Sequence, residues 1–157
     1  MTKELKLVAP RHGALTTPCV RVKKISTDVR EFVMELIKLM RKEDGMGITA
    51  NQVGDSRAIF IAQVPGDHIR IFINPEIIWV GEDTVRTVEG CLSFPDKTLK
   101  AQRKRHAIVR ALNLKGDTFL VDTRDAIYPE KVSILLSICM QHEMDHINGK
   151  DMRDYIF

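Results

Sequence analysis

The stretch Gln141-His142-Glu143-Met144-Asp145-His146 combines residue types and a spacing that can do chemistry. If it is helical, a spacing of four puts His142 and His146 one turn apart on the same face. Two imidazoles so placed can share one metal ion, with Glu143 beside the open coordination position as a general base. Such a site needs a third ligand, and its source decides what kind of site it is.

A metzincin-type protease takes that ligand from downstream, in His-Glu-x-x-His-x-x-Gly-x-x-His. Here Gly149 stands at the right place, but Met152 occupies the ligand position and Asp151 is one residue off. Residues 147–157 are too few for the downstream Glu helix of a thermolysin-like zincin. The ligand must therefore lie upstream, among His12, His68, His106, Cys19, Cys91 and Cys139, or be absent. Cys91 stands out within Val88-Glu89-Gly90-Cys91-Leu92-Ser93, where a glycine loosens the backbone and a thiolate could face a cleft.

The elements that must position these residues follow from periodicity. Pro129 to about Asn148 reads as a helix, with proline near its start and Gly149 at its end. An earlier helix carries the stripe Val29, Phe32, Val33, Leu36, Ile37 and Met40, with Thr27 or Asp28 as cap and a stop at Asp44-Gly45. Met1 to Ser26 reads as an extended arm or irregular strand. Between the helices the pattern turns to β. Ala58 to Val64, Ile69 to Asn74 and Glu76 to Val80 are apolar strands, with a turn at Pro65-Gly66-Asp67 and pairing interrupted at Pro75. Ala107 to Leu114 and Thr118 to Asp122 form a hairpin around Lys115-Gly116-Asp117. Helix, short strands, then buried helix argues α+β with mainly antiparallel sheets.

The chain has 157 residues, 44% of them hydrophobic and 29% charged, which predicts one ordinary domain with a single core. A net charge of +3 is too small to make nucleic acid the main partner. The basic run Lys100 to His106 reads as a solvated loop or edge strand. Three cysteines without a Cys-x-x-Cys pair fit a reducing compartment, and no apolar run or leader points to a membrane or secretion. The expected location is cytoplasmic, with an organellar or phage-encoded origin also compatible.

Three segments belong together. Gly45-Met46-Gly47-Ile48-Thr49-Ala50-Asn51-Gln52, Glu89-Gly90-Cys91-Leu92-Ser93 and Gln141 to His146 resemble the three signature motifs of peptide deformylase, in the family's order and at similar separations. The resemblance extends over nearly the whole chain, including Ile73-Asn74-Pro75. It implies sheets packed around a central C-terminal metal-binding helix. It also implies that Cys91, His142 and His146 hold one divalent metal with water in the fourth position. Fe(II) is the metal expected in the cell, with Zn(II), Ni(II) or Co(II) also accepted by a thiolate and two imidazoles. Glu143 would move the proton from water to the departing amine. Gln52 and the Leu92 backbone N–H would stabilise the oxyanion.

By the same resemblance, the substrate is an N-formylmethionyl peptide or nascent chain. It would lie extended along Gly45 and Gly47, with its methionine side chain against Leu135, Ile138 and Cys139. Thr49 replaces the family's usual Ala, and Thr98 stands near a position where many bacterial members have Arg. The chain is expected to be a single catalytic domain, 1–157, without the C-terminal helix linked to ribosome docking in many bacterial members. Two other readings use the same motif: a zinc endopeptidase, which needs the downstream ligand, and a non-catalytic fold stapled by metal. The second would need neither Glu143 nor Gln52.

Overall fold

The computed structural model describes residues 4–156. Its layering is set by β2 (Ile59–Ala62), every residue of which is buried. Ile59 and Ile61 face one helix, and Phe60 and Ala62 face the other. A strand covered on both faces reads as an unbroken apolar run rather than an alternating one. β2 lies between β1 (Gly47–Thr49) and β3 (Arg70–Val80). Beyond these, β6 (Ala107–Leu112) and β7 (Thr118–Asp122) complete a five-stranded antiparallel sheet in the order β1-β2-β3-β6-β7.

On one face lies α1 (Thr27–Lys42), whose Val33, Leu36 and Met40 pack against Ile48, Ile59, Ile61 and Ile73. Its cap is Ser26, one residue before the expected position: the Ser26 Oγ accepts from the Val29 N–H at 3.3 Å. Asp28 thus falls in the first turn, where a negative charge opposes the positive end of the helix dipole. On the other face lies α2 (Glu130–Ile147), with Leu136, Met140, Met144 and Ile147 against Phe60, Phe72, Val109 and Val121. A second face of α2 is enclosed as well, since Ser133, Ser137, His142, Glu143 and His146 are all buried. The architecture is the expected α+β arrangement around a central C-terminal helix.

The expected strands on either side of Pro75 form one element, β3, whose pairing to β6 slips between Ile73 and Glu76. Asn74 takes the left-handed conformation there, and its side chain compensates by bonding both Val22 N (2.7 Å) and Val22 O (2.9 Å). The Lys115-Gly116-Asp117 turn closes the β6–β7 hairpin as expected. Asn113 Oδ1 accepts from the Lys115 and Asp117 amides, and Gly116 supplies the positive φ. From residue 4 the amino-terminal arm is irregular apart from one 3₁₀ turn, Gly13–Thr16; its first three residues lie outside the described part.

One pair of strands escapes the sequence pattern. β4 (Thr84–Glu89) and β5 (Leu99–Lys104) form a separate two-stranded antiparallel sheet. Its inward positions are Val85, Thr87 and Glu89 opposite Arg103, Ala101 and Leu99, so a charged pair stands where apolar residues would mark a strand. The basic run therefore is an edge strand, but Arg103 within it is buried rather than solvated.

The amino-terminal arm is fastened to the end of α2, where the Cys19 amide donates to Ile147 O at 2.8 Å. Gly149 packs beside that contact with φ +67°, and an added Cβ would sit 2.5 Å from Pro18 N and Thr17 C. Gly149→Ala should therefore destabilise by at least the roughly 1–3 kcal/mol of a strained left-handed residue. Urea unfolding should show a lower midpoint; an unchanged midpoint would mean that the arm yields freely.

Candidate metal centre

His142 and His146 project from the enclosed side of α2 with ring centroids 5.2 Å apart. Cys91 reaches them from the loop after β4, placing its Sγ 3.3 Å from His146 Nε2. Each of the three offers a ligand atom within 4.8 Å of the other two, and all three are buried. Tetrahedral coordination with metal–sulfur and metal–nitrogen bonds near 2.3 and 2.0 Å separates ligand atoms by about 3.3–3.6 Å, so the donors fit one divalent ion. The upstream source of the third ligand is thus Cys91. His12, His68 and His106 lie outside the cluster. Met152, at the metzincin ligand position, is buried in an apolar cluster with Leu15, Phe94 and Leu99.

The support for this centre comes from residues the sequence left unmarked. His142 Nδ1 lies 2.8 Å from Glu89 Oε1. Arg103 in turn grips Glu89 through both Nε (2.9 Å) and Nη2 (2.8 Å), and reaches Asp145 Oδ2 through Nη1 at 2.5 Å. Tyr155 adds a hydroxyl to the same Asp145 oxygen at 3.1 Å. Burial alone would raise the Glu89 carboxyl, but hydrogen bonds from Arg103, His142 and Thr87 hold it well below the usual carboxylate range. An ionised Glu89 accepts, so Nδ1 of His142 donates and Nε2 is left to face the metal. Burial also pulls both imidazoles down. In His142 the bonds to Cys91 and Glu89 outweigh it and hold the pKa up, at about 10. His146 stays well below its usual value, pulled down by burial and by the His142 and Arg103 charges.

Glu143 lies on the same helix face, 3% exposed, beside a cavity of about 640 Å³. Its Oε1 presses on the Cα of Gly47 so closely that a Cβ there would collide with it. At Gly45 an added Cβ would lie 2.7 Å from Leu92 Cδ1, so the leucine tip would have to turn aside. Close approach thus favours glycine at both positions. Gln52 follows in the 3₁₀ turn Ala50–Val53; its Oε1 accepts from the Thr49 amide at 2.9 Å, which leaves Nε2 toward Ser93 Oγ (3.0 Å) and Cys91 Sγ (3.8 Å). The Leu92 amide donates no hydrogen bond among the described residues. Leu135, Ile138 and Cys139 lie on the cavity wall, as do Gly45, Gly47, Gln52 and Leu92. No helix among the described residues is long and apolar enough to cross a membrane.

An α+β fold that buries a thiolate, two imidazoles and an adjacent carboxylate at one end of an open cavity defines a metal-dependent hydrolase. Residues 5–156 match the family described as polypeptide deformylase, and the chain belongs to that family. It is 38% identical over 130 residues to "Peptide deformylase 1" of Ralstonia nicotianae, covering 82% of this chain and 72% of that one. Among solved structures it resembles the peptide deformylase of Thermotoga maritima (TM-score 0.86, 27% identity, 99% of both chains). It also resembles that of Ehrlichia chaffeensis in complex with actinonin (TM-score 0.88, 26% identity, 99% of this chain and 90% of that one).

Glu89→Gln should weaken metal binding by about 10–100-fold, the usual effect of losing a ligand's supporting carboxylate. Competition with a chromophoric chelator would measure it. Because the folded-state pKa of Glu89 is depressed, its contribution to stability is complete above the ordinary carboxylate pKa of about 4.3 and is lost as pH falls below it. Metal-free wild-type protein should therefore lose more urea stability than Glu89→Gln between neutral pH and pH values below that point. Parallel pH profiles would exclude Glu89 as the source.

Proposed function

We propose that Glu143, Gln52 and Leu92 remove the formyl group from an N-formylmethionyl peptide bound in this cavity, releasing formate. The observation that carries the reading is the buried Glu143 carboxylate, which shares the cavity wall with Cys91, His142, Gln52 and Leu92. A metal held by Cys91, His142 and His146 would supply Lewis acidity and a water that is nucleophilic near neutral pH. Glu143 takes the water proton and returns it to the departing amine. The Gln52 amide nitrogen and the Leu92 N–H meet the negative charge that develops on the formyl oxygen. A purely structural metal site would need neither the carboxylate nor the amide.

The peptide itself is taken as an added strand. β1 is an edge strand, paired only with β2 within its sheet, and the chain at Gly45 and Gly47 borders the cavity. Main-chain bonds along that edge would hold the peptide in any sequence, while a side-chain pocket selects its first residue. Leu135, Ile138 and Cys139 offer an apolar wall suited to methionine. Burial pushes the Cys139 thiol well above its ordinary pKa, so it serves here as apolar surface.

Metal-loaded protein should release formate from formyl-Met-Ala-Ser and leave intact casein uncut. Glu143→Gln should keep its metal but lose about 10²–10⁴-fold in turnover. Near-normal turnover in metal-replete Glu143→Gln protein would sink the proton-transfer role.

For the working metal we propose Fe(II), as the resemblance to peptide deformylases implies, although affinity alone would favour nickel or zinc. Aerobic preparations should then lose activity within hours, and Ni(II) or Co(II) should protect it. Mass spectrometry should find added oxygen on Cys91 before Cys19 or Cys139, because burial raises both of those thiols, Cys19 to about 11. Equal turnover by zinc- and iron-loaded protein, with air harming neither, would overturn the iron assignment alone.

A further inference from the structure

We infer that the Thr49 hydroxyl is a positioning device for Glu143: it holds one carboxylate oxygen so that the group is aimed into the cavity. The inference rests on the reading of Glu143 as the proton-transferring group. Thr49 is fully buried at the end of β1, in register with Phe60. Its Oγ1 donates to Glu143 Oε2 at 2.8 Å; the Glu143 carbonyl, at 3.3 Å, is the more distant acceptor.

This is the only hydrogen bond that the Glu143 carboxylate receives among the described residues. The opposite oxygen, Oε1, lies against Gly47. The carboxylate is therefore clamped between a hydroxyl on one side and a bare Cα on the other, both from the same three-residue strand. Without the hydroxyl, a buried oxygen loses its donor and the side chain is free to turn toward another. Thr49 also connects the two ends of the reacting centre. Its amide orients the Gln52 side chain while its hydroxyl orients Glu143. The amide bond survives any substitution except proline, so only the hydroxyl function depends on the residue being Thr. Thr49 itself is not part of the cavity wall, so its loss should leave peptide binding alone.

Thr49→Val keeps the shape without the donor, and Thr49→Ser keeps the donor with less bulk. With metal-loaded proteins and formyl-Met-Ala-Ser, Thr49→Val should lower kcat about ten- to a hundredfold at unchanged KM and metal content, as expected for a misaimed catalytic group. Thr49→Ser should restore kcat. In a Glu143→Gln background, Thr49→Val should change nothing further, because the two residues act through one contact. Wild-type kcat in Thr49→Val overturns the inference. So does a Thr49→Ser defect as deep as that of valine, a rise in KM or loss of metal in place of a fall in kcat, or a full additional loss in the Glu143→Gln background. Failure of the wild-type protein to release formate would instead overturn the reading of Glu143, before any variant is compared.

Discussion

The site depends on one buried ion pair, Glu89 with Arg103. Taking two charges out of water costs several kcal/mol for each ion, and their attraction repays this only when every donor and acceptor is satisfied. Here the satisfaction is thorough. Arg103 gives two bonds to Glu89 and one to Asp145, and its guanidinium lies 5.3 Å from the Tyr155 ring centroid. Glu89 takes further bonds from His142 and Thr87. The pair therefore does more to orient than to stabilise. It ties the small β4–β5 sheet to α2 and to the 3₁₀ turn Met152–Tyr155, and it sets which nitrogen of His142 is free.

Around that tie, the reacting groups come from three separate parts of the chain. β1 and the turn after it bring Gly47, Thr49 and Gln52; the loop after β4 brings Cys91 and Leu92; α2 brings His142, Glu143 and His146. The loop after β4 is tied by that ion pair, while the other two parts are seated by apolar packing. α2 is held by Leu136, Met140 and Met144 against the sheet, and β1 by Ile48 against α1. The buried face of α2 lets polar groups such as His142, Glu143 and His146 meet each other away from bulk water, which strengthens their interactions. The one open direction is the cavity, so a substrate's reacting end can enter while the supporting charges stay covered.

Glycine at 45 and 47 and the carboxylate at 143 express the same constraint from opposite sides. The chain entering β1 approaches the Leu92 side chain at Gly45, and β1 itself approaches Glu143 at Gly47. That closeness brings an unpaired strand edge and the Glu143 carboxyl to the same cavity wall.

Much of this was legible in the chain itself. The stripe of α1, the apolar run of β2, the β6–β7 turn and the helical spacing of His142 and His146 follow from local periodicity, which needs no partner to be read. The resemblance of the three motifs to those of peptide deformylase likewise singled out Cys91, His142 and His146 as candidate ligands, which the fold brings together, and Glu143 and Gln52 as candidate catalytic groups. What stayed hidden was decided by contacts between distant segments. β4 and β5 lack an alternating apolar pattern because their inward face carries Glu89 and Arg103, and two charges that neutralise each other are invisible until they are brought together. For the same reason, nothing in the sequence hints at the contacts of Asp145 and Tyr155 with Arg103 and with each other. Thr49 read as a tolerated small residue until the fold placed its hydroxyl 2.8 Å from Glu143, 94 positions along the chain. Local spacing determined the two helices, most of the main sheet and the shared face of His142 and His146; only tertiary packing decided which polar groups hold them in place, since a hydrogen bond across such a separation leaves no periodic trace.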